Sequence, residues 1–353
     1  MAKPITHVAT TDIADMLAPG SHRRMELPGF AEEFVDFPHF IIRITDEIWH
    51  QRKIEKCADW YAEDCVIHTL GGDIVGAQTV IQNTRDTLKA FPDRTLDADN
   101  VIWSDDGDGK FYSSHLITSK MTNEGASEFG PPTGKAVRVQ TIAECLCQDN
   151  KVIEEWLVRD NLALCLQLGF DPDEMARKQA GLDRTSGFDL VSFHESNRDS
   201  VLAGNRANSV AGVAAEIAAN ALIATLHGEP VSKLNALYDF RANISMPGGA
   251  ALYGPDQIAN WFEALLRAIT DVSVSIDHIA EITYLGDAKD VSIRWGVAGF
   301  HTGDGRYGSA TGAPIYILGV TQFRIMNGRV REATFVWDDI AVRRQVESAR
   351  LAA

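Results

Sequence analysis

Cysteine is scarce and unpatterned in this chain. Cys57, Cys65, Cys145, Cys147 and Cys165 make an odd count of five among 353 residues. No disulfide framework is implied, and reduced thiols in a cytoplasmic protein are expected. Cys145 and Cys147 lack a second pair or a His at metal spacing, so they read as structural thiols and no metal site is expected. Positive charge is also short: 33 Lys and Arg stand against 49 Asp and Glu, a formal net charge of −16. A phosphate backbone needs clustered cations, so nucleic acid is not an expected partner. No uncharged apolar run is long enough to span a bilayer. The opening MAKPITHVATTDIADMLAPGS has no basic segment leading into an apolar one, so no secretory signal is expected. Also missing are a Gly-x-Gly-x-x-Gly opening a helix, a Walker loop and a Gly-x-Ser-x-Gly elbow. No cofactor is expected.

What the chain does have is a repeat. NKVIEEWLVRDNLALCLQLG at 150–169 is answered by GRVREATFVWDDIAVRRQV at 328–346. Each opens on a turn residue, passes an apolar-rich run and reaches an aspartate, Asp160 and then Asp338. Tyr61 matches Tyr238, Gly71-Gly72 matches Gly248-Gly249, and Gly134 matches Gly312, all at nearly one spacing. A period this long means two whole domains, since solenoid repeats run to roughly 20–50 residues.

Periodicity fills in the elements. Phe40, Ile41, Ile44, Ile48 and Trp49 make one apolar helical stripe, and a short helix around Ile54–Tyr61 follows. A strand, a Gly-Gly turn and a helix over Ala77–Ala90 come next, stopped by Phe91-Pro92-Asp93. Strands are predicted over Asp97–Trp103, Phe111–Met121, Ala136–Cys147 and Val152–Arg159. The order returns from a helix at about Ser209–Leu226, a short one over Val231–Leu237 and a third over Pro255–Ala268. Strands follow at Val272–Ile279, Val291–Phe300, Ile315–Ile325 and Val330–Val336. The expected class is α+β: an arm over 1–36, a domain over 37–171, a polar linker over 172–206 and a second domain over 207–353. Each domain is a cone, a curved antiparallel sheet wrapped over about three helices with a cavity between.

This order, together with GPPTGKAVRV and NKVIEEWLVRDNLALCLQLG, resembles the SnoaL-like polyketide cyclases of the nuclear transport factor 2-like superfamily. VSIRWGVAGFHTG, SATG and NGRVREATFVWD resemble the same set more loosely. The resemblance implies cofactor-free acid/base chemistry, typically an intramolecular aldol closure. It places the acid/base on Asp160 and, where Thr334 replaces a tryptophan, on Asp338. It places a histidine partner on His301, with Met121 near that point in the first half. It also implies that domains pair through open sheet faces, within one chain or as a homodimer.

Strand parity is an independent reading. With Asp149-Asn150 and Asn327-Gly328 as two-residue turns, Asp160 shares a face with Val158, Trp156, Glu154 and Val152. Asp338 likewise shares one with Val336, Thr334, Glu332 and Val330. These mostly apolar faces are taken as the cavity side, where desolvation raises a carboxyl pKa toward useful values. The competing readings are structural: a helix N-cap for each aspartate, a backbone or Arg partner for Glu154 and Glu332. His68, at a strand end, and His115, mid-strand, are candidate proton partners or satisfied structural residues. Trp49, Trp60, Trp156, Trp261, Trp295 and Trp337 are cavity or core walls. Two functions follow. One is a cyclase, isomerase or lyase acting on a small apolar carbonyl-bearing molecule in the first domain. The other is a non-catalytic ligand-binding or scaffold protein of the same fold.

Overall fold

The computed structural model describes residues 4–204 and 212–352. They fall into two compact units, Met1–Thr69 with Asp73–Arg159, and Leu70–Gly72 with Asp160–Ala353. Both are α+β, each with an open six-stranded sheet.

The first unit begins with helix α1 (Ile13–Leu17) and α2 (Phe37–Thr45), which ends in a π-type turn over Asp46–His50. The arm is tied down by one buried carboxylate. Asp36 caps α2 by accepting from His39 N at 2.9 Å, and it also accepts from Thr6 N and Oγ1, each at 2.8 Å. Val8, Met16, Leu27, Phe30 and Phe34 of the arm join the core. Then come α3 (Cys57–Trp60), β1 (Tyr61–His68), β2 (Ile74–Val75) and α4 (Ala77–Ala90). The long strands β3 (Asp97–Gly107), β4 (Lys110–Thr122), β5 (Ala136–Gln148) and β6 (Lys151–Arg159) complete the unit. The order is β2-β1-β6-β5-β4-β3, antiparallel except where β1 runs parallel to β6.

The second unit holds α5 (Asn161–Leu168), α6 (Pro172–Ser186), α7 (Leu190–Phe193) and α8 (Glu195–Leu202). The stretch read as a linker is thus helical over much of its described length. Residues 205–206 of it, and 209–211 of the next predicted helix, lie outside the described residues. Then α9 (Val213–Leu226), α10 (Val231–Leu237), β7 (Tyr238–Met246), β8 (Ala250–Tyr253) and α11 (Gly254–Ala268) follow. Strands β9 (Ile269–Thr283), β10 (Lys289–His301), β11 (Pro314–Met326) and β12 (Arg329–Trp337) lead to α12 (Asp339–Ala352). Strand order repeats that of the first sheet, β8-β7-β12-β11-β10-β9.

The predicted hairpin turns form, with positive φ at Asp149, Asn150, Asn327 and Gly328. The parity drawn from them does not survive. Cys147 pairs with Val152 but Leu146 pairs with Glu154, leaving Ile153 as an extra residue. Ile325 pairs with Val330 but Arg324 with Glu332, leaving Arg331 extra. A bulge of one residue exchanges the faces of everything beyond it. In the first sheet Cys145, Cys147 and Val152 belong to the core against α2, so theirs is the inner face. Beyond the bulge that face carries Glu155, Leu157 and Arg159, opposite Cys145, Ala143 and Thr141. Glu154, Trp156 and Val158 are turned to the other face, and Glu332, Thr334 and Val336 correspondingly in the second sheet.

The second unit fills its inner face with rings. Trp295 lies edge-on to Trp337 at 5.9 Å, Trp337 to Trp261 at 5.6 Å, and Phe335 meets Phe262 and Phe323 at 5.5 and 5.8 Å. The Trp295 Nε1 donates to Thr321 Oγ1 at 2.9 Å. Gly319 makes room for this: a Cβ there would lie 2.1 Å from the Trp295 ring. The same register position in the first unit is Thr141, whose buried Oγ1 has no partner. Gly319→Ala is therefore expected to cost about 1–3 kcal/mol in urea unfolding through overpacking. Thr141→Val should be neutral or mildly stabilising. Equal losses for the two would contradict this packing.

Candidate active site

The inner face of the first sheet is built in rungs. Trp103, Ser113, Cys145 and Glu155 form one; Val101, His115, Ala143 and Leu157 the next; then Ala98, Ile117, Thr141 and Arg159. Ser119 lies beyond, opposite Val139. Several of these side chains are polar and buried, and atoms on them have no hydrogen-bond partner: His115 Nε2, Ser119 Oγ, Thr141 Oγ1 and Glu155 Oε2. Arg94, on the loop after α4, adds a buried Nε in the same state. Among these polar groups Ala143, Leu157, Trp103 and Ala98 remain only half-buried in mid-sheet. Unpaired buried polar atoms cost free energy, so a cluster of them requires an explanation.

The second repeat lacks all of them. At the corresponding register positions Glu155 becomes Ala333, His115 Ile293, Ser113 Val291, Thr141 Gly319, Ser119 Val297 and Arg159 Trp337. The two sheets share strand order and bulge, so the fold does not demand the polar set.

Glu155 is 4% exposed. Burial raises its pKa to about 7, against the Tyr61 hydroxyl bonded to it and the nearby Arg159, which lower it. His115 is pushed the other way, to about 3, by burial and then by the neighbouring His50, so its ring is neutral. The two groups stand two strands apart, ~10 Å laterally, facing the same interior.

The residues expected from the sequence lie elsewhere. The Asp160 carboxylate, 5% exposed, caps α5 by accepting from Ala163 N at 2.9 Å. Both its oxygens also accept from Gly248 N at 2.9 Å. Burial raises its pKa to about 6, while the backbone donors of Gly248 and Ala163 oppose the rise. Asp338 repeats the cap on α12, taking Ala341 N at 3.1 Å and Asn161 Nδ2 at 2.6 Å. His68 and Glu154 do meet, Nε2 to Oε1 at 3.0 Å, with Asp73 at 3.1 Å on Nδ1 and the Trp156 ring tilted against the imidazole at 5.4 Å. They meet on the face opposite His115. Glu332 accepts from Arg324 at 2.8 Å on the outer face of its sheet, and Arg324 also holds Asp290.

His301 is buried with Nδ1 3.0 Å from Thr311 Oγ1, and its carbonyl accepts from Thr311 N and Gly312 N. Its register counterpart is Asn123, not Met121. There Oδ1 accepts from Thr133 N and Oγ1, and Gly134 N bonds the Asn123 carbonyl. The Thr-Gly text in both halves thus closes a loop onto this position. Among the described residues no cluster of His, Cys, Asp and Glu could hold a metal ion. The five cysteines are buried and free, and burial raises their pKa values. No described helix is long and apolar enough to cross a membrane.

Glu155 and Arg159 were missed by parity, and Ser119 and the loop residue Arg94 carried no motif. The signal that could have found them is the repeat itself, where polar residues of one copy face apolar residues of the other.

The profile of the SnoaL-like polyketide cyclases matches this chain twice, over residues 39–168 and 217–346. No curated protein matches it. Among solved structures, AclR from Streptomyces galilaeus is 23% identical, covering 37% of this chain and 80% of its own, with a TM-score of 0.33. IdmH from Streptomyces antibioticus is 22% identical over 38% and 99%, TM-score 0.33. A SnoaL-like polyketide cyclase from Agrobacterium tumefaciens is 17% identical over 37% and 97%, TM-score 0.32.

Two outcomes are expected from these environments. Asp160→Ala should lose about 1–2 kcal/mol of stability in denaturant titration, and Asp160→Asn, which keeps an acceptor for the cap, clearly less. Burial holds the folded pKa of Glu155 above the ordinary carboxyl value of 4.5, so the native state keeps its proton longer than the unfolded chain. Its contribution to stability must therefore fall as pH rises from about 4.5 to about 7 and stay constant above. Glu155→Gln should remove that fall, making the variant more stable than wild type at pH 8 by on the order of a few kcal/mol. Parallel pH–stability curves would refute it.

Proposed function

The chain belongs to the SnoaL-like polyketide cyclase family, and we propose that its first repeat is a cofactor-independent acid/base enzyme of cyclase or isomerase type. The second repeat carries an apolar version of the same face. The observation that carries the reading is the replacement of Glu155, His115, Ser113, Thr141, Ser119 and Arg159 of the first sheet by apolar residues, or by glycine, in the second. A fold that is stable with an interior filled by rings keeps this titratable and hydroxyl-bearing set in one copy because a ligand completes it.

In this reading the half-buried Ala143, Leu157 and Trp103 line a pocket for a small carbonyl-bearing molecule. Glu155, poised near neutrality, takes a proton from the carbon beside the carbonyl. The electron pair of that C–H bond moves into the enolate, whose oxygen accepts a hydrogen bond from the neutral His115 ring at Nε2. Attack of the enolate carbon on a second carbonyl of the same molecule forms the C–C bond. Glu155 then returns the proton to the resulting alkoxide, so no oxidant or reductant is needed. Without a second carbonyl, the proton returns at another carbon and the reaction is an isomerisation.

One observation favours a second reading, a non-catalytic binding protein. Asp160, at the position where the family resemblance puts the acid/base, is occupied as a helix cap. Hydrogen–deuterium exchange at the α-carbon of α-tetralone, followed by NMR, separates the two. Wild type should accelerate exchange, increasingly as pH rises through about 7. Glu155→Gln should lose about a hundredfold, while Asp160→Asn keeps most of the rate. Full activity in Glu155→Gln would remove Glu155 from the mechanism. Binding of α-tetralone without exchange by wild type would favour the binding protein.

A further inference from the structure

Among the described residues, the guanidinium groups of Arg94 and Arg159 in the first unit have no ion-pair partner. Arg94 is 8% exposed, and among the described residues no side chain accepts a hydrogen bond from its guanidinium or pairs with it. Its surroundings are cationic: burial, then Arg159, then Arg52 all lower its pKa. Arg52 does not neutralise it, since its own Nη2 is spent on the carbonyls of Pro92 and Arg94, at 3.1 and 2.8 Å. Arg159 ends β6 on the inner face, paired in register with Thr141, and it too has no ion pair among the described residues. Glu155 feels Arg159 electrostatically but forms no ion pair with it.

The hydroxyls beside them are also unpartnered. Thr141 Oγ1 and Ser119 Oγ are buried on adjacent strands of the same face. Thr95 N bonds the Lys120 carbonyl, which brings the Arg94 loop alongside Ser119. A charged guanidinium taken out of water without an anion is among the costlier things a fold can hold. In the second repeat the register counterparts are Val297, Gly319 and Trp337, and Val272 stands the same distance along the chain from Arg94.

We propose that Arg94 and Arg159, with Thr141 and Ser119, form a carboxylate-binding subsite, so that the substrate of the first repeat is a carbonyl compound carrying a carboxylate. This rests on the inner face being the substrate site. Guanidinium forks match the planar carboxylate, and the two hydroxyls donate to its remaining lone pairs. Bound there, the carboxylate leaves the carbonyl end of the molecule directed along the sheet toward His115 and Glu155. Substrate orientation would thus be set by charge at one end, with proton transfer at the other.

The test is calorimetric titration at pH 7 with matched pairs, benzoate against benzamide and 2-naphthoate against 2-naphthamide, plus inorganic phosphate. At least one carboxylate should bind about tenfold more tightly than its amide. Both Arg94→Met and Arg159→Gln should remove that preference, and Glu155→Gln should keep it. Arg94→Met should melt no lower than wild type in carboxylate-free buffer, because an unpaired buried charge is gone. The subsite is overturned if no carboxylate outbinds its amide. It is equally overturned if the preference survives in both arginine variants, or if phosphate binds where carboxylates do not. α-Tetralone exchange by wild type alongside such a failure would leave the acid/base reading intact. Carboxylate binding with no exchange would do the reverse.

Discussion

Ile153 has no partner across the β5–β6 ladder, and its neighbours Val152 and Glu154 pair on either side of it with Cys147 and Leu146. Because side chains alternate along a strand, that one extra residue decides which of two adjacent glutamates is buried. Glu155 goes inward among Tyr61, Cys65 and Cys145, and burial holds its proton to about 7. Glu154 goes outward to His68. Arg331 sets the same shift in the second sheet, where Ala333 and Phe335 are delivered inward. The same backbone device thus presents a titratable group in one copy and a hydrophobic core in the other.

The two units answer one geometric problem in two ways. A bent sheet facing helices leaves a volume that must be filled or used. In the second unit Trp295 takes the space above Gly319, and Trp337 and Trp261 close over it. Such an interior gains from ring burial and strands few polar atoms. In the first unit smaller and polar side chains stand at those positions, with Ala143 and Leu157 still half-buried. The free energy forgone there is the physical ground for reading function into it.

Much of the architecture was legible in the residues. Long alternating strands, helix-spaced stripes and the Asn327-Gly328 turn fixed element types, and the recurring Gly-Gly and Thr-Gly texts fixed the duplication. The caps at Asp160 and Asp338 were legible too, as the structural alternative to an acid/base role. The site was less so. Parity counted from the turn assumed an unbroken ladder, and nothing in Lys-Val-Ile-Glu-Glu-Trp marks the bulge, which needs no glycine at this position. The helical stretch over Pro172–Ser186 was under-read because its apolar face is thin, with Met175, Ala176 and Ala180 as its buried members. Arg94 was invisible because a loop arginine after a helix reads as solvated unless its surroundings are known.

The most direct measurement is the titration of the Glu155 carboxyl itself, followed by carbon-13 NMR of protein labelled at the glutamate carboxyl, with Glu155→Gln to assign the signal. A resonance that moves with a midpoint near 7 and is missing from the variant is the predicted result. A Glu155 signal already fully ionised at pH 5 would place that side chain in water and contradict the account.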